Sequence, residues 1–320
     1  MNLRWLPMEV MIETAAEDAM NTAAGTSTAA QSTPCGDLME RRASPPGQTE
    51  TRWDPSVIPV FPAIALKALK LLSGTDTSLL ELCNLIRADL AFSTAILRIA
   101  NSPLVAFSRD VTSVLQASML LGFQRLRSMV ITVGLKTYLK NSFTPLMVSC
   151  WRHSLACAIL SERSAKMISL DNDFAYTAGL LHDIGRVALI KVMPDSYGRV
   201  VECGANTPLD VLQNERNFCG IDHCDAGSSL MTAWNLPTAL IEIAAAHNDP
   251  ERLLPETHLL ISTSCALADS LGFAVVPCQV GTSYAEILAR FPDPAQLQFP
   301  ATAEELARDI ANEISALESA

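Results

Sequence analysis

The chain has 320 residues, of which 49% are hydrophobic and 18% are charged. That length allows about two domains of ordinary size, and that composition excludes a wholly disordered chain. Lysine and arginine number 23 against 34 aspartates and glutamates, which gives a net charge of −11. This charge argues against broad, non-specific binding to nucleic acid or to an anionic membrane surface.

The sequence predicts neither a membrane span nor an export signal. Charged residues interrupt the apolar residues near the N-terminus, and no uncharged apolar run reaches the roughly 18 residues that a spanning helix needs. The nine cysteines are scattered without a Cys-x-x-Cys pair, which favours a reduced, cytoplasmic chain over a disulfide framework. A zinc site built on paired cysteines is not predicted either.

The first 52 residues differ in composition from the rest of the chain. They are rich in Ala, Thr, Ser, Pro and Gly and lack sustained periodicity, so we expect a flexible extension (residues 1–52) with a short helix near Met8–Met20. In residues 53–272 apolar residues recur at helical spacing between short Gly, Pro, Asn and Asp stretches. This pattern predicts one all-helical domain, which we divide into lobes at residues 53–143 and 144–272.

Breaker and capping residues divide this domain into helices. Pro62 and Gly74 bound the first helix, and Asp76 to Ser78 supply capping oxygens for the second. Leu126–Leu139 contains several β-branched residues, but its neighbours are helical and a lone strand would leave backbone groups unpaired, so we predict a helix. The other predicted helices are, in chain order, Phe92–Ile99, Ser113–Leu121 (ended by Gly122), Trp151–Met167, Asp173–Asp183, Gly185–Lys191, Pro208–Phe218, Asp225–Trp234, Leu236–His247 and Thr257–Leu271.

Residues 273–320 are predicted to form a C-terminal extension. Their first part is punctuated by proline, and the segment Thr302–Leu317 is predicted to be an amphipathic helix. The residues expected on its apolar face are Leu306, Ile310, Ile314 and Leu317. That face could dock on the helical domain or on a partner, and the sequence leaves both options open.

Histidine is scarce, with five residues in the chain, and the strongest local signal is the pair His182-Asp183. Adjacent residues on a helix point about 100° apart, so both reach one ion only at a helix end, which Gly185 is expected to provide. Imidazole and carboxylate together suit Zn²⁺, Mn²⁺ or Fe²⁺, and bundle cores assemble such sites from facing helices. The candidate donors on other predicted helices are His153, His223, His247 and Asp269.

The order of these residues resembles the metal-binding pattern of the HD-domain phosphohydrolase superfamily. The surrounding sequence is more similar to one branch, the HDOD domain (HD-related output domain). The resemblance runs from Val57 to Gly272, about two thirds of the chain, and departs from the family at Leu90, where proline is common. The phrases that carry it are LRIANSP (97–103), SVLQASMLLGFQRLRSMV (113–130), WRHSLACAIL (151–160), AYTAGLLHDIGRVAL (175–189), DHCDAGSSLMTAWNLP (222–237) and AAAHN (244–248).

The resemblance implies both a fold and a role. The implied fold is an all-α, two-lobed helical bundle in which an N-terminal helical lobe packs on an HD-like lobe. The implied role is a bacterial, cytoplasmic regulatory output module that contacts signalling proteins, without catalysis and without a nucleic-acid or membrane partner. The resemblance also implies at most one divalent ion (Zn²⁺, Mn²⁺, Fe²⁺ or Mg²⁺), with the ligand set His153, His182, Asp183 and Asp269.

The alternative is a metal-dependent phosphohydrolase that acts on a nucleotide or a cyclic dinucleotide. In that case Arg186 is a candidate phosphate contact, since arginine binds phosphate bidentately. The chain differs from the HD-GYP relatives, which hydrolyse cyclic di-GMP, in having Arg186 for their lysine, Asn248 for their second histidine and Asp249-Pro250-Glu251 for their Gly-Tyr-Pro. Because Asn248 is not a strong ligand for a second ion, His223 and His247 are expected to be polar cleft residues.

Each candidate residue also has an ordinary structural explanation. Asp183 could cap the following helix, His182 could hydrogen-bond across the lobe, and His153 could be a buried partner of Asp183. Asp269 could be a carboxylate on a helix surface. His258 matches no part of the pattern and is predicted to have no role in the site.

Overall fold

A computed structural model describes residues 53–58, 61–70, 79–102, 105, 111–139, 144–248, 255–292, 296 and 298–319. Within these ranges the chain is helical and has no β-strand, so the predicted all-α class is confirmed. None of the helices in the described ranges is both long enough and apolar enough to cross a membrane. The predicted N-terminal extension and its short helix lie outside the described residues.

Fourteen helices can be numbered within the described residues. A short 3₁₀ turn, Pro55–Val57, precedes them, and a π-helical turn, Asp269–Phe273, directly follows the twelfth. The bounds are α1 Ala63–Lys70, α2 Leu79–Arg87, α3 Leu90–Ala100, α4 Val114–Leu139, α5 Pro145–Met167, α6 Asn172–Leu181, α7 Ile184–Val192, α8 Pro194–Cys203, α9 Pro208–Cys219, α10 His223–Ala233, α11 Thr238–Ala246, α12 Glu256–Ala268, α13 Tyr284–Leu288 and α14 Ala303–Ser319.

The first three helices pack on the long helix α4. Asp89 begins α3 by accepting hydrogen bonds from the backbone N–H groups of Ala91 and Phe92, which satisfies donors that a helix start leaves free. Gly122 has φ 75° and ψ 169° within α4, so the predicted break is a kink between two helical halves. The β-branched segment Leu126–Leu139 is helical, as predicted.

Helices α5 to α12 form the second group. Helix α5 packs on α6 and α12, and α10 packs on α7 and α11. The rings of Phe61, Tyr138 and Trp234 join the two groups, with Trp234 lying 5.4 Å from Phe61 and 5.7 Å from Tyr138 between ring centroids. A single apolar core therefore runs through both groups, and the lobe boundary between residues 143 and 144 stays a prediction.

The C-terminal helix α14 packs on α5 and on the π-helical turn. Its apolar face is buried, with Leu306 and Ile310 at 0% exposure. Two ion pairs border that face, Arg163 with Glu313 at 2.7 Å and Arg152 with Glu318 at 2.9 Å. Of the two options that the sequence left open for this helix, the described structure therefore shows docking on the helical core.

Helices α8 and α13 were not predicted from the sequence, and the expected role of Gly185 is wrong. Gly185 lies inside α7 and does not end a helix. A Cβ atom on Gly185 would lie 2.0 Å from the His223 carbonyl oxygen and 2.4 Å from the Gly227 nitrogen. Gly185 is therefore the residue that lets α7 and α10 approach closely, and the helix end falls at His182 and Asp183 instead.

Candidate metal centre

The pair His182-Asp183 occupies the junction between α6 and α7. His182 is the residue after the last turn of α6, and Asp183 precedes the first turn of α7 with φ −100° and ψ 18°. The Asp183 side chain makes no capping hydrogen bond to α7, so the explanation of Asp183 as a helix cap is not realised. Both side chains are instead buried, at 1% and 3% residue exposure.

Four of the five histidines converge on Asp183. Their Nε2 atoms form two pairs, with 3.3 Å between His153 and His182 and 3.3 Å between His223 and His247. The carboxylate lies between the pairs: Oδ1 is 3.3 Å from both His223 Nε2 and His247 Nε2, and Oδ2 is 3.6 Å from His153 Nε2. The structure thus brings together five of the predicted site residues, supplied by five different helices or helix ends.

The tautomers of the four rings follow from their outer contacts. A carbonyl oxygen only accepts hydrogen bonds, so a ring nitrogen beside one must carry a proton. The Nδ1 contacts are His182 with Gly179 O at 2.7 Å, His247 with Ala244 O at 3.0 Å, His153 with Phe273 O at 3.2 Å and His223 with Glu215 Oε2 at 2.6 Å. A ring that is neutral, such as His182, therefore turns the lone pair of its Nε2 atom into the cluster.

The centre of the cluster is consequently rich in acceptors. Both oxygens of Asp183 lack an aligned hydrogen-bond donor among the described residues. Leaving a buried polar atom unpaired costs about 1–3 kcal/mol, and more for a charged group. Arg186 offsets part of this cost for Asp183, and a metal ion among the imidazole and carboxylate donors would offset the rest, so the donor set fits a metal ion.

The half of the cluster around His223 and His247 contains hydrogen-bond donors and positively charged groups of its own. Asn248 Nδ2 lies 3.0 Å from His223 Nε2 and 3.1 Å from His247 Nε2, and Arg186 Nε lies 3.2 Å from Asp183 Oδ2. If the two rings are protonated, their Nε2–H groups face Asp183, and if they are neutral, the Asn248 amide can donate to them. In either state this half does not depend on an ion.

The pKa shifts show the same asymmetry. Burial lowers the pKa of His182 well below its ordinary value, so this ring stays neutral. Burial also opposes charge on His223, but Glu215 outweighs it and raises the pKa of His223 well above its ordinary value. Burial raises the pKa of the Asp183 carboxyl, yet Arg186 and His223 outweigh that effect and hold the pKa well below its usual range.

Asp269, the remaining predicted ligand, lies outside the ring of Nε2 atoms. Its Oδ1 is 3.3 Å from His153 Nδ1, on the opposite edge of that imidazole, and its side chain is 40% exposed. A carboxylate in that position orients the ring. His258 is buried but belongs to none of the donor groups found in the described residues.

Three residues of the site were not among the predicted site residues. Cys265 Sγ lies 3.7 Å from His153 Nε2, Cys224 Sγ lies 3.9 Å from His247 Nδ1, and Glu215 binds the outer face of His223. Cys224 directly follows His223, and Cys265 is four residues before Asp269 on the same helical run, so those spacings could have indicated them. No sequence spacing indicates Glu215.

Comparison with known proteins supports this description of the fold. A model of the HDOD domain family matches residues 58–250, more than half of the chain. A curated protein of Treponema pallidum (strain Nichols), itself uncharacterized, is 25% identical over 210 residues. The match covers 64% of this chain and 40% of that protein, so this chain corresponds to less than half of the relative's length.

Solved structures with a similar fold include proteins from three different bacteria. An HDOD domain protein of unknown function from Geobacter sulfurreducens has 21% identity and a TM-score of 0.64, over 82% of this chain and 91% of that one. A protein from Shewanella amazonensis SB2B, named provisionally as a phosphohydrolase, has 20% identity and a TM-score of 0.61, over 82% and 93%. A protein from Marinobacter aquaeolei VT8, named provisionally for signal transduction, has 18% identity and a TM-score of 0.63, over 99% and 67%. At these identities the likeness shows the fold alone.

Proposed function

The chain belongs to the HDOD domain family, and from this premise we propose that it is a regulatory output module of the bacterial cytoplasm. In this proposal it acts by contacting signalling proteins, does not catalyse a reaction, and holds one divalent ion as a buried structural element. The name of the Marinobacter aquaeolei neighbour agrees with such a role. The proposal excludes nucleic acid and membrane as partners, because the net charge of −11 disfavours both.

The burial of the cluster is the observation that carries the non-catalytic role. His153 and His182 are each 1% exposed, Asp183 is 3% exposed, and His223 and His247 are 0% and 5% exposed. A phosphoester substrate must bring a phosphoryl oxygen into contact with the ion, and side chains this deeply buried leave no approach to it without a rearrangement of the helices. An ion held there would connect helices instead of meeting substrate.

His153, His182 and Asp183 would hold the ion. Their donor atoms face each other, and the two rings have already committed their Nδ1–H groups to backbone carbonyls. A bound divalent ion would neutralise the carboxylate and pair with the two lone pairs, and in an open site it would also polarise a phosphoryl oxygen. His153 lies on α5, His182 directly follows α6 and Asp183 directly precedes α7. The ion would therefore stabilise the packing of these three helices.

The second candidate function is a metal-dependent phosphohydrolase for nucleotides or cyclic dinucleotides. The observation in its favour is Arg186, a guanidinium beside the donors of the cluster that is able to bind phosphate bidentately. Arg186 is 8% exposed, however, and its Nη2 lies 3.2 Å from His223 Nε2 while its Nε pairs with Asp183. Its charge is therefore already used inside the protein, which favours the non-catalytic role.

Metal analysis and an activity panel separate the two functions. Protein purified without a histidine tag is expected to contain about one divalent ion per chain and to leave nucleotides and cyclic dinucleotides unchanged. Absence of any bound Zn, Mn, Fe or Mg would reject both the structural ion and the hydrolase. Hydrolysis that disappears in Asp183→Ala, in a variant that still folds, would establish the hydrolase and overturn the regulatory proposal.

A further inference from the structure

Cys265 is placed to act as a metal ligand in this cluster. Its Sγ lies 3.7 Å from His153 Nε2, and the donor atoms of Cys265, His153 and His182 all lie within 4.8 Å of one another. We propose that the Cys265 thiolate binds the ion together with His153, His182 and Asp183, and that the site therefore selects a four-coordinate, thiophilic ion of the zinc type over magnesium. This inference rests on the proposed function only in requiring that an ion is bound.

The separations measured from His153 Nε2 match tetrahedral coordination. In a regular tetrahedron with Zn–N bonds of about 2.0–2.1 Å and a Zn–S bond of about 2.3 Å, two nitrogens lie about 3.3 Å apart and a nitrogen and a sulfur about 3.6 Å apart. The structure has 3.3 Å between His153 Nε2 and His182 Nε2, and 3.7 Å between His153 Nε2 and Cys265 Sγ. Neighbouring ligands of octahedral Mg²⁺ would be only about 2.9 Å apart.

The fourth donor is Oδ2 of Asp183, which also accepts the ion pair with Arg186 Nε at 3.2 Å. Oδ2 of Asp183 lies 3.6 Å from His153 Nε2, near the separation of about 3.3 Å that a tetrahedral site requires. Asp269, the alternative fourth ligand, contacts Nδ1 of His153 instead. In that position it supports His153 from outside, as second-layer carboxylates of zinc sites do.

The charge and softness of the four donors favour the same ion. One thiolate and one carboxylate balance the two positive charges of the ion, and the two imidazoles remain neutral. Thiolate is a ligand that zinc accepts and that magnesium disfavours. As the sulfur–metal bond forms, the thiol proton leaves to solvent, so binding of the ion releases one proton from Cys265.

Packing holds Cys265 against the histidines. It lies near the end of α12, and α12 packs along α5, which carries His153. Helix α14 packs on α5 and on the π-helical turn that follows α12. A ligand carried by packed helices keeps its position in the absence of the ion, which is the arrangement that gives a metal site its selectivity.

Cobalt substitution of the full-length, untagged protein tests the proposal. We expect one Co²⁺ per chain and a thiolate-to-cobalt charge-transfer band in the near ultraviolet. Cys265→Ser should lose that band and bind Zn²⁺ at least tenfold more weakly. Cys150→Ser is the control, because its thiol is buried on α5 but belongs to none of the donor groups found in the described residues, and it should keep both the band and the affinity.

X-ray absorption on the zinc-loaded wild-type protein supplies a measurement that needs no variant. One sulfur at about 2.3 Å from zinc is expected, together with nitrogen and oxygen neighbours. A bound ion with only nitrogen and oxygen neighbours, or a charge-transfer band that survives in Cys265→Ser, would overturn the role of Cys265 and leave the proposed function standing. A wild-type protein that binds neither Zn²⁺ nor Co²⁺ would overturn both.

Discussion

Replacement of Gly185 by alanine tests the close approach of α7 and α10. The added Cβ would lie 2.0 Å from the carbonyl oxygen of His223 and 2.4 Å from the nitrogen of Gly227. Both atoms belong to the backbone of a packed helix, so they cannot turn aside as a flexible side chain would. To restore a contact of 3.0 Å, the two helices must separate by about 1 Å in a core that is packed as tightly as a crystal.

The expected cost is large for a single methyl group. Overpacking a core typically costs about 1–3 kcal/mol and occasionally more, and two backbone clashes place Gly185→Ala at the upper end, at about 3 kcal/mol. For a protein of this size each kcal/mol lowers Tm by about 2–4 °C, so we expect Tm to fall by about 6–12 °C. Thermal unfolding followed by circular dichroism at 222 nm measures this shift.

Gly198→Ala is the control for that experiment. Gly198 lies inside α8, and a Cβ added there meets no atom within 4 Å. Alanine is favoured over glycine in a helix by about 0.5–1 kcal/mol, so this variant should be slightly more stable than the wild type. A Gly185→Ala protein as stable as Gly198→Ala would refute the argument that α7 and α10 are in backbone contact at this position.

Three further predictions follow from the buried polar groups. Asp173→Ala removes the carboxylate that pairs with Arg127 between α6 and α4, and chemical denaturation should show a loss of about 3–5 kcal/mol because removing one partner breaks a buried ion pair; a loss under 1 kcal/mol would contradict this. Removing the proposed ion with a chelator should lower Tm by about 8–16 °C in differential scanning calorimetry. An ion present at a thousand times its Kd adds about 4 kcal/mol to the free energy of unfolding. An unchanged Tm would mean that no stabilising ion was bound. Asn248→Asp places a carboxylate 3.0–3.1 Å from His223 and His247, where the amide now lies. Elemental analysis should show the ratio of metal to protein rising from one towards two. An unchanged ratio would refute the view that Asn248 is what prevents a second ion from binding.

The helices could be predicted because they depend on local pattern, and the convergence of the histidines could be predicted because their order along the chain resembles the HD pattern. Apolar spacing located most helices, including Leu126–Leu139, where β-branched residues are compatible with a helix that is buried on nearly all sides. The order of His153, His182, His223 and His247 along separate helices was enough to place them together once those helices formed one bundle.

The missed residue Glu215 and the wrongly interpreted Gly185 depend on contacts between residues distant in sequence, while the ligand role of Asp269 stays a prediction. Glu215 meets His223 because α9 turns back beside α10, and no periodic pattern encodes that contact. Asp269 begins a π-helical turn, whose different number of residues per turn changes the direction of successive side chains, so motif order alone could not give its position. Gly185 was predicted to end a helix. Glycine occurs both at helix ends and where two backbones approach closely, so its presence in the sequence does not distinguish the two.

Under the proposed function, the two halves of the cluster account for a protein that keeps the histidines of the HD pattern without catalysing a reaction. Around His223 and His247, the donors Arg186 and Asn248 fill the space beside Asp183 that a second ion or a phosphate group would need. Around His153 the lone pairs stay uncompensated, and an ion there would be enclosed by packed helices. In the proposed role, the contacts that enclose the cluster also make it rigid, and we expect a signalling partner to be recognised on the outer faces of the helices that the ion would connect.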